Sequence, residues 1–361
     1  MSTRDFVLGS RRFTPLDPYL IAEIGVNHEG SVEKAKQLID LAAAGGAHAA
    51  KFQTYTADKL AAKTTSPAYW DITKESTLSQ HELFQRYGTM TDDDYRELAR
   101  YCTEVGVDFL STPFDLEAVD LLAPLMPVVK IASADLTNIP LVRRIRATGL
   151  PVIASVGAAT HDEIERTVDE LLGEGATPPV PQLTLLHCVL NYPTPREAAQ
   201  LGQIAILQER FGDRVSIGYS DHVRPEDDGS MPALEMAALA GSVVIEKHFT
   251  DDKTKPGNDH YHAMDGSDLA RFTERLALYR TLRGGESLDL GTQGAAISNA
   301  RRRVVAARAL SAGETIAESD LIALRSNVGI EIAHWDEVVG AQLVESVAEG
   351  IPLGWSAIQR G

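Results

Sequence analysis

Eight short runs rich in β-branched and apolar residues follow one another through most of this chain, and the segments between them carry helical spacing. The runs are LIAEIG (20–25), AAKFQT (49–54), DFLST (108–112), PVVKIA (127–132), PVIAS (151–155), LTLLHC (183–188), VSIGYS (215–220) and VVIEKHF (243–249). Strand and helix in strict alternation predict a parallel sheet with helices outside it. Eight such units suit a closed (β/α)8 TIM barrel better than an open doubly wound sheet. The segment SVEKAKQLIDLAAAGG shows the local logic: Ser31 is placed to cap, Glu33 lies in the first turn, and Gly45-Gly46 ends the helix. Residues 54–91 are too polar and irregular for one helix and read as an insertion over the barrel mouth. FVLGSRRF (6–13) reads as a small hairpin plugging the other end.

The pattern lapses at 284–299 into GGESLDLGTQGAAISN, a linker by composition. The expected division is therefore a barrel domain over 1–283, a linker over 284–299, and a mainly β module over 300–361 that is small for an independent core. With 44% hydrophobic and 24% charged residues the chain is globular in composition. Its net charge of -17 argues against nucleic acid or an anionic membrane as partner, because both are bound by clustered cations. Cys102 and Cys188, the only cysteines, offer neither a disulfide framework nor a thiolate zinc site and read as reduced core residues. The first twenty residues hold no apolar run of signal-peptide length, and no run approaches a bilayer span, so a cytoplasmic location is expected.

Side chains of a barrel strand alternate between interior and helix layer, and active sites lie at the strands' C-terminal ends. Polar residues in this chain share one parity. Ala49, Lys51 and Gln53 form one set, Val128, Lys130 and Ala132 a second, Glu246 and His248 a third, with Ile245 and Phe249 opposite. Glu23, Thr112, Ser155, Ser220 and His222 complete a ring at one mouth. Strand ends also collect polar residues by chance, but two inward lysines are costly to desolvate unless an anion or carboxylate pairs them.

His222 and His248 end consecutive strands, so their imidazoles can share a metal whose other positions go to water and substrate oxygens. That coordination suits Mn²⁺ or Mg²⁺ as a Lewis acid. Two hydrogen-bonded histidines would satisfy the same spacing. His260 and His262, in NDHYHAMD, are a rival pair read as facing substrate or solvent from a polar loop. No GxGxxG, P-loop, GxSxG or HExxH pattern is present.

IAEIGVNHEGSVEKAKQLID, AAKFQTY, FLSTPFD, VKIASADLTNIPL, LLHCVLNYPTP, IGYSDH, IEKHFT and KPGNDH occur in the order seen in the sialic acid synthases, the phosphoenolpyruvate-dependent nonulosonate synthases, which this chain resembles along nearly its whole length. The last 60 residues resemble the antifreeze-like (SAF) domain that ends those enzymes. The resemblance implies condensation of phosphoenolpyruvate with the open-chain aldehyde of N-acetylmannosamine or a related amino sugar, assisted by a divalent metal: Mn²⁺ first, with Mg²⁺ or Co²⁺ as alternatives. It implies that Lys51 and Lys130, with Thr112, Ser133, Ser155 and Ser220, cradle phosphoenolpyruvate. His222 and His248 would hold the metal, and Gln53, Tyr192 and Asp259 the sugar. Glu23 is implied to handle a proton or hold the aldehyde, although a lone barrel carboxylate also suits a lysine's ion-pair partner; Asp259 also suits a turn. Arg325 matches an arginine that the family's SAF domain inserts into the partner's barrel in a domain-swapped homodimer; without the resemblance it reads as a surface arginine.

Four departures bear on these roles. Ser155-Val156-Gly157 stands where the family commonly has STG, and Leu190 stands two before Tyr192, where a polar residue is common. Leu324-Arg325-Ser326-Asn327-Val328-Gly329 replaces KRPGTG, and DHYHAMD replaces DHxxS. A different sugar aldehyde, as in legionaminic or pseudaminic acid synthesis, and a barrel that binds saccharide without chemistry are the competing readings.

Overall fold

The eight apolar runs form eight parallel strands: β1 (Tyr19–Gly25), β2 (Ala49–Thr54), β3 (Asp108–Pro113), β4 (Val129–Ile131), β5 (Val152–Ser155), β6 (Leu183–Cys188), β7 (Ser216–Asp221) and β8 (Val244–His248). The computed structural model describes residues 4–70, 72–73, 75–173, 183–256, 259–285 and 287–359. Hydrogen-bonded order runs β3-β2-β1-β8-β7-β6-β5-β4, and β8 pairs with β1 through Val244 opposite Tyr19. β3 and β4 lie in contact and complete the ring without a ladder; there the Ser111 N–H donates to Met126 Sδ at 3.0 Å. The expected barrel is thus the observed one, as a near-closed sheet. β4 is shorter than its run, because Pro127 lacks a ladder donor and Ser133–Asp135 already turns into a 3-10 helix.

The outer layer is α1 (Val32–Ala44), α2 (Asp92–Val105), α3 (Leu116–Leu122), α4 (Ile139–Ala147), α5 (His161–Leu172), α6 (Gln203–Phe211), α7 (Pro232–Leu239) and α8 (Gly266–Arg283). Ser31 caps α1 by accepting from the Lys34 N–H, as its position predicts. Thr91 with Asp94, and Thr160 with Glu163, form reciprocal capping boxes at α2 and α5. Each helix turns an apolar stripe inward, Ala35, Leu38, Ile39 and Ala42 in α1, onto the outward side chains of the strands.

Phe6–Leu8 and Arg11–Phe13 pair as the predicted hairpin. Phe6, Phe13 and Tyr19 stack with centroids 5.0–5.9 Å apart. Tyr19 donates to Asp108 at 2.7 Å and Ser216 Oγ donates to the Asp5 carbonyl at 3.0 Å. Tyr19, Asp108 and Ser216 are the first residues of β1, β3 and β7, so the hairpin closes the N-terminal end and leaves the other open.

Contacts divide the chain into two compact units, Met1–Arg283 and Gly284–Gly361. The second unit carries a short helix, Gly294–Ala300, that overlaps the stretch whose composition suggested a linker. It continues with two antiparallel pairs, Arg302–Ala306 with Leu321–Arg325 and Gln342–Leu343 with Ile358–Gln359. Val304, Leu310, Ile316, Ile330 and Leu353 are in its core. Among the described residues no helix is long and apolar enough to cross a membrane.

Phe13→Ala is expected to destabilise the barrel by about 3–5 kcal/mol, since it removes a buried ring from the plug. A fall in the urea midpoint at unchanged m-value is the expected result; an unchanged midpoint would show that the plug contributes nothing.

Candidate active site

Strand register brings the charged residues together. Glu23 lies opposite both Lys51 and His248, Gln53 opposite Thr112, and Glu246 opposite Ser220. In parallel strands opposed residues project from the same face, so one parity in sequence becomes one cluster in the barrel. Lys51 Nζ lies 2.5 Å from Glu23 and 3.6 Å from Glu246, and donates to Thr112 Oγ1 at 3.2 Å. Lys130 Nζ donates to Ser155 Oγ at 2.7 Å and to the Ile131 carbonyl at 2.8 Å, and lies 3.8 Å from Glu246. Ser220 Oγ donates to Glu246 at 3.0 Å, and Gln53 Nε2 to Glu23 at 2.9 Å. All four charged side chains are buried. Two cations and two carboxylates therefore balance within the ring.

Glu246 is the member that sequence reasoning left without a role. Its parity with His248 was legible; that it bridges both lysines depends on three strands meeting. Burial pushes Glu23 up to about 7, against the pull of Lys51 and with the push of Glu246. Burial works against charge on Lys51 as well, but its two glutamates hold it above the usual lysine value; on Lys130 burial wins and the shift is downward. Glu246 falls below the usual carboxylate value despite burial, because Lys130 and Lys51 face it.

Two glycines make room for this arrangement. Gly25 has φ +56°, and a Cβ there would meet Gln53 Nε2 at 3.2 Å and Glu23 Oε1 at 3.3 Å. At Gly157, after β5, a Cβ would lie 2.9 Å from Ser133 Oγ and 3.1 Å from the Cys188 carbonyl. Ser133 Oγ in turn accepts the Gly157 N–H at 3.0 Å.

The ring opens into a cavity of about 410 Å³. The insertion between β2 and α2, which carries the short helices Ala57–Leu60 and Gln80–Tyr87, contributes Tyr55, Tyr69, Trp70, Phe84 and Tyr87 to its wall. Glu75, held by Thr77, Arg86 and Tyr87, is the insertion's one acidic lining residue among those described. Val156, a departure from the family pattern, is buried in the core, whereas Leu190 lines the cavity. Cys188, expected in the core, is buried and free but lines the cavity, with Sγ 3.9 Å from His222 Nδ1.

The histidines gather beside the ring. His222 Nδ1 donates to the Val189 carbonyl at 2.8 Å, which leaves Nε2 as its lone-pair nitrogen. Its ring centroid is 4.1 Å from Tyr192 and 5.4 Å from His248. His248 Nδ1 is 3.3 Å from Asp259 Oδ2. Burial and neighbouring imidazoles hold His248 well below the ordinary histidine value, and burial pushes Asp259 up to about 6. Outside the barrel wall, Lys247 Nζ donates at 2.6 Å to both Asp221 Oδ2 and the Val223 carbonyl. This fully buried tie braces the residues flanking His222 and His248; the inverted parity of Lys247 was its only signal.

His260 and His262 depart from expectation. Both are fully buried. Met264 N–H donates to the His248 carbonyl and Thr250 N–H to the Met264 carbonyl, so the chain after Asp259 returns to pair in parallel with the residues at the end of β8 and tucks the His260–His262 turn inward. His260 Nδ1 meets Thr250 Oγ1 at 2.7 Å and Nε2 lies 3.5 Å from Glu29. His262 packs 4.9 Å from the His248 ring. Donor atoms of His248, Asp259 and His262 lie within 4.8 Å of one another. His248 Nδ1 and both nitrogens of His262 are buried without a hydrogen bond, and the one lone-pair nitrogen that each neutral imidazole carries can face a cation. Arg325 is exposed at the end of its strand in the second unit, opposite Arg302. KPGNDH lies partly outside the described residues, at Gly257 and Asn258.

Glu246→Gln is expected to lower stability by about 3 kcal/mol, because it leaves both lysines with one carboxylate between them. Inorganic phosphate should restore part of that loss in urea unfolding; no loss would mean the bridge is idle. Glu23 holds its proton more tightly folded than its unfolded value of 4.5, so the folded state binds more protons between 4.5 and about 7. Relative to Glu23→Gln, the wild type should therefore lose stability as pH rises through that window, and a flat difference would refute the shift.

Residues 38–287 match the NeuB family and residues 301–359 the SAF domain. The chain is 32% identical over 344 residues, 94% of each chain, to the N,N'-diacetyllegionaminic acid synthase of Legionella pneumophila. It is 29% identical to the N-acetylneuraminate-9-phosphate synthase of Drosophila melanogaster, over 93% of this chain and 94% of that one. The crystal structure of the N-acetylneuraminic acid (sialic acid) synthetase of Leptospira borgpetersenii serovar Hardjo-bovis superposes with a TM-score of 0.67 at 28% identity, over 80% of this chain and 92% of that one. With a barrel, a charged mouth and a C-terminal module all in the matching order, this chain belongs to the NeuB family and ends in a SAF domain.

Proposed function

We infer that this protein condenses phosphoenolpyruvate with the open-chain aldehyde of an amino sugar, giving a 3-deoxy-nonulosonic acid and inorganic phosphate. The observation that carries this reading is the pairing, at one barrel mouth, of two buried lysines with a cluster of imidazoles. Lys130 and Lys51, with Thr112, Ser133, Ser155 and Ser220, receive the carboxylate and phosphate of phosphoenolpyruvate. Both lysines are charge-balanced beforehand, so the arriving anion competes with Glu23 and Glu246 for them. Glu23, already near neutrality in its titration, takes up a proton as the anion binds and then serves as the acid beside the aldehyde.

C3 of phosphoenolpyruvate bonds to the aldehyde carbon, and the aldehyde oxygen takes a proton. Water adds to C2 and gives up one proton, the bond from C2 to the phosphate oxygen breaks as the second proton passes from the new C2 hydroxyl to the departing phosphate, and the keto acid and inorganic phosphate remain. A divalent cation, Mn²⁺ first, on His222 and His248 would supply Lewis-acid stabilisation of the aldehyde oxygen. Gln53, Tyr192 and Asp259 orient the sugar, and Arg325 from a second copy holds its N-acyl group in a domain-swapped homodimer.

N-acetylmannosamine is the sugar of the first reading. A diacetamido-trideoxyhexose is the second, and the aromatic wall favours it, because Tyr55, Tyr69, Trp70 and Phe84 suit methyl-bearing substituents. The likeness to a legionaminic acid synthase supports the same choice. Among the described lining residues Lys51 and Lys130 are the only lysines, with no arginine, so nothing in that wall pairs a sugar phosphate. Phosphate release from phosphoenolpyruvate with Mn²⁺ is therefore expected with one of the two free sugars and at least tenfold less with N-acetylmannosamine 6-phosphate, and should be abolished by Lys130→Ala and His222→Ala. Silence with every sugar would favour a barrel that only binds saccharide.

A further inference from the structure

His262 stands outside the motif shared with the sialic acid synthases, where DHYHAMD replaces the common DHxxS. It is fully buried, and neither ring nitrogen has a hydrogen-bond partner. An imidazole always carries a donor, an acceptor or both, and burying one unmet is unfavourable, so such a ring persists where something else meets it. Its neighbours say what. His248, whose Nδ1 makes no hydrogen bond and lies 3.3 Å from Asp259 Oδ2, has its ring centroid 4.9 Å away, so the Asp259 carboxylate faces the same space. One donor atom from each of the three falls within 4.8 Å of the others. Ligands about 2.1 Å from one ion lie at most about 4.2 Å apart, so a small closing movement completes the set. His222 sits farther off, its centroid 6.2 Å from that of His262.

We propose that His262 is a further ligand of the divalent cation in this chain, joining His248 and Asp259 beside the His222 of the proposed function. This rests on the proposed function only in placing a cation at the mouth. Three nitrogens and one oxygen on the protein still leave positions open for substrate oxygens on an octahedral ion. The protein would then hold its cation before substrate arrives.

The test is calorimetric titration of the metal-stripped full chain with Mn²⁺, Co²⁺ and Zn²⁺, alongside His262→Ala and His262→Gln, with thermal unfolding of each variant to establish that it folds. Visible absorption of the Co²⁺ form reports on ligand number independently of turnover. The expected result is one equivalent bound by the wild type, a loss of affinity of about 10–100-fold in both variants, and an altered Co²⁺ spectrum. Equal affinity and identical spectra in wild type and variants would overturn the proposal and leave the synthase reading intact. No binding by the wild type, with metal-independent phosphate release, would overturn the proposal and the cation's role together while sparing the condensation itself.

Discussion

Two lysines in the middle of a barrel are the constraint on which the rest of the mouth depends. Lys51 and Lys130 are each 3% exposed, and a lone ammonium group at that depth would shed its proton or pull in water. Glu23 and Glu246 prevent both, and do so unequally. Glu246 bridges both cations and stays charged, while Glu23, paired with Lys51 alone, is held near its titration point. Two ammonium groups and two carboxylates thus face one another at this mouth.

The two ends of the barrel are specialised by what covers them. At the N-terminal end the hairpin packs Phe6 and Phe13 against Tyr19, the first residue of β1. At the other end the insertion after β2 leaves its aromatic rings facing a cavity instead of filling it. His222 and His248 line that cavity, and behind them Lys247 and Asp221 fasten β7 to β8.

Much of the fold was legible because its signals are local. Each of the eight strands lies within or nearly within its apolar run, Ser31 caps α1, and residues 6–13 pair as a hairpin. Parity alone also gathered Glu23, Lys51, Lys130, Ser220, His222 and His248 on inward faces. What parity could not tell was which inward groups touch. Glu246 between two lysines, Ser133 against Gly157, and Cys188 at the cavity wall all depend on how strands far apart in sequence are set in register.

His260 and His262 mark the limit. By local chemistry NDHYHAMD is a polar loop, and nothing in its composition announces burial. The backbone pairing of Met264 with His248 and Thr250 turns it inward, a contact that exists only once β8 is in place. Alternation of apolar and polar residues is a property of the chain and determines strands, helices and faces. Which charges meet, and which imidazoles are left buried with open lone pairs, is decided by packing, because desolvation acts on a side chain only after the rest of the molecule has closed around it.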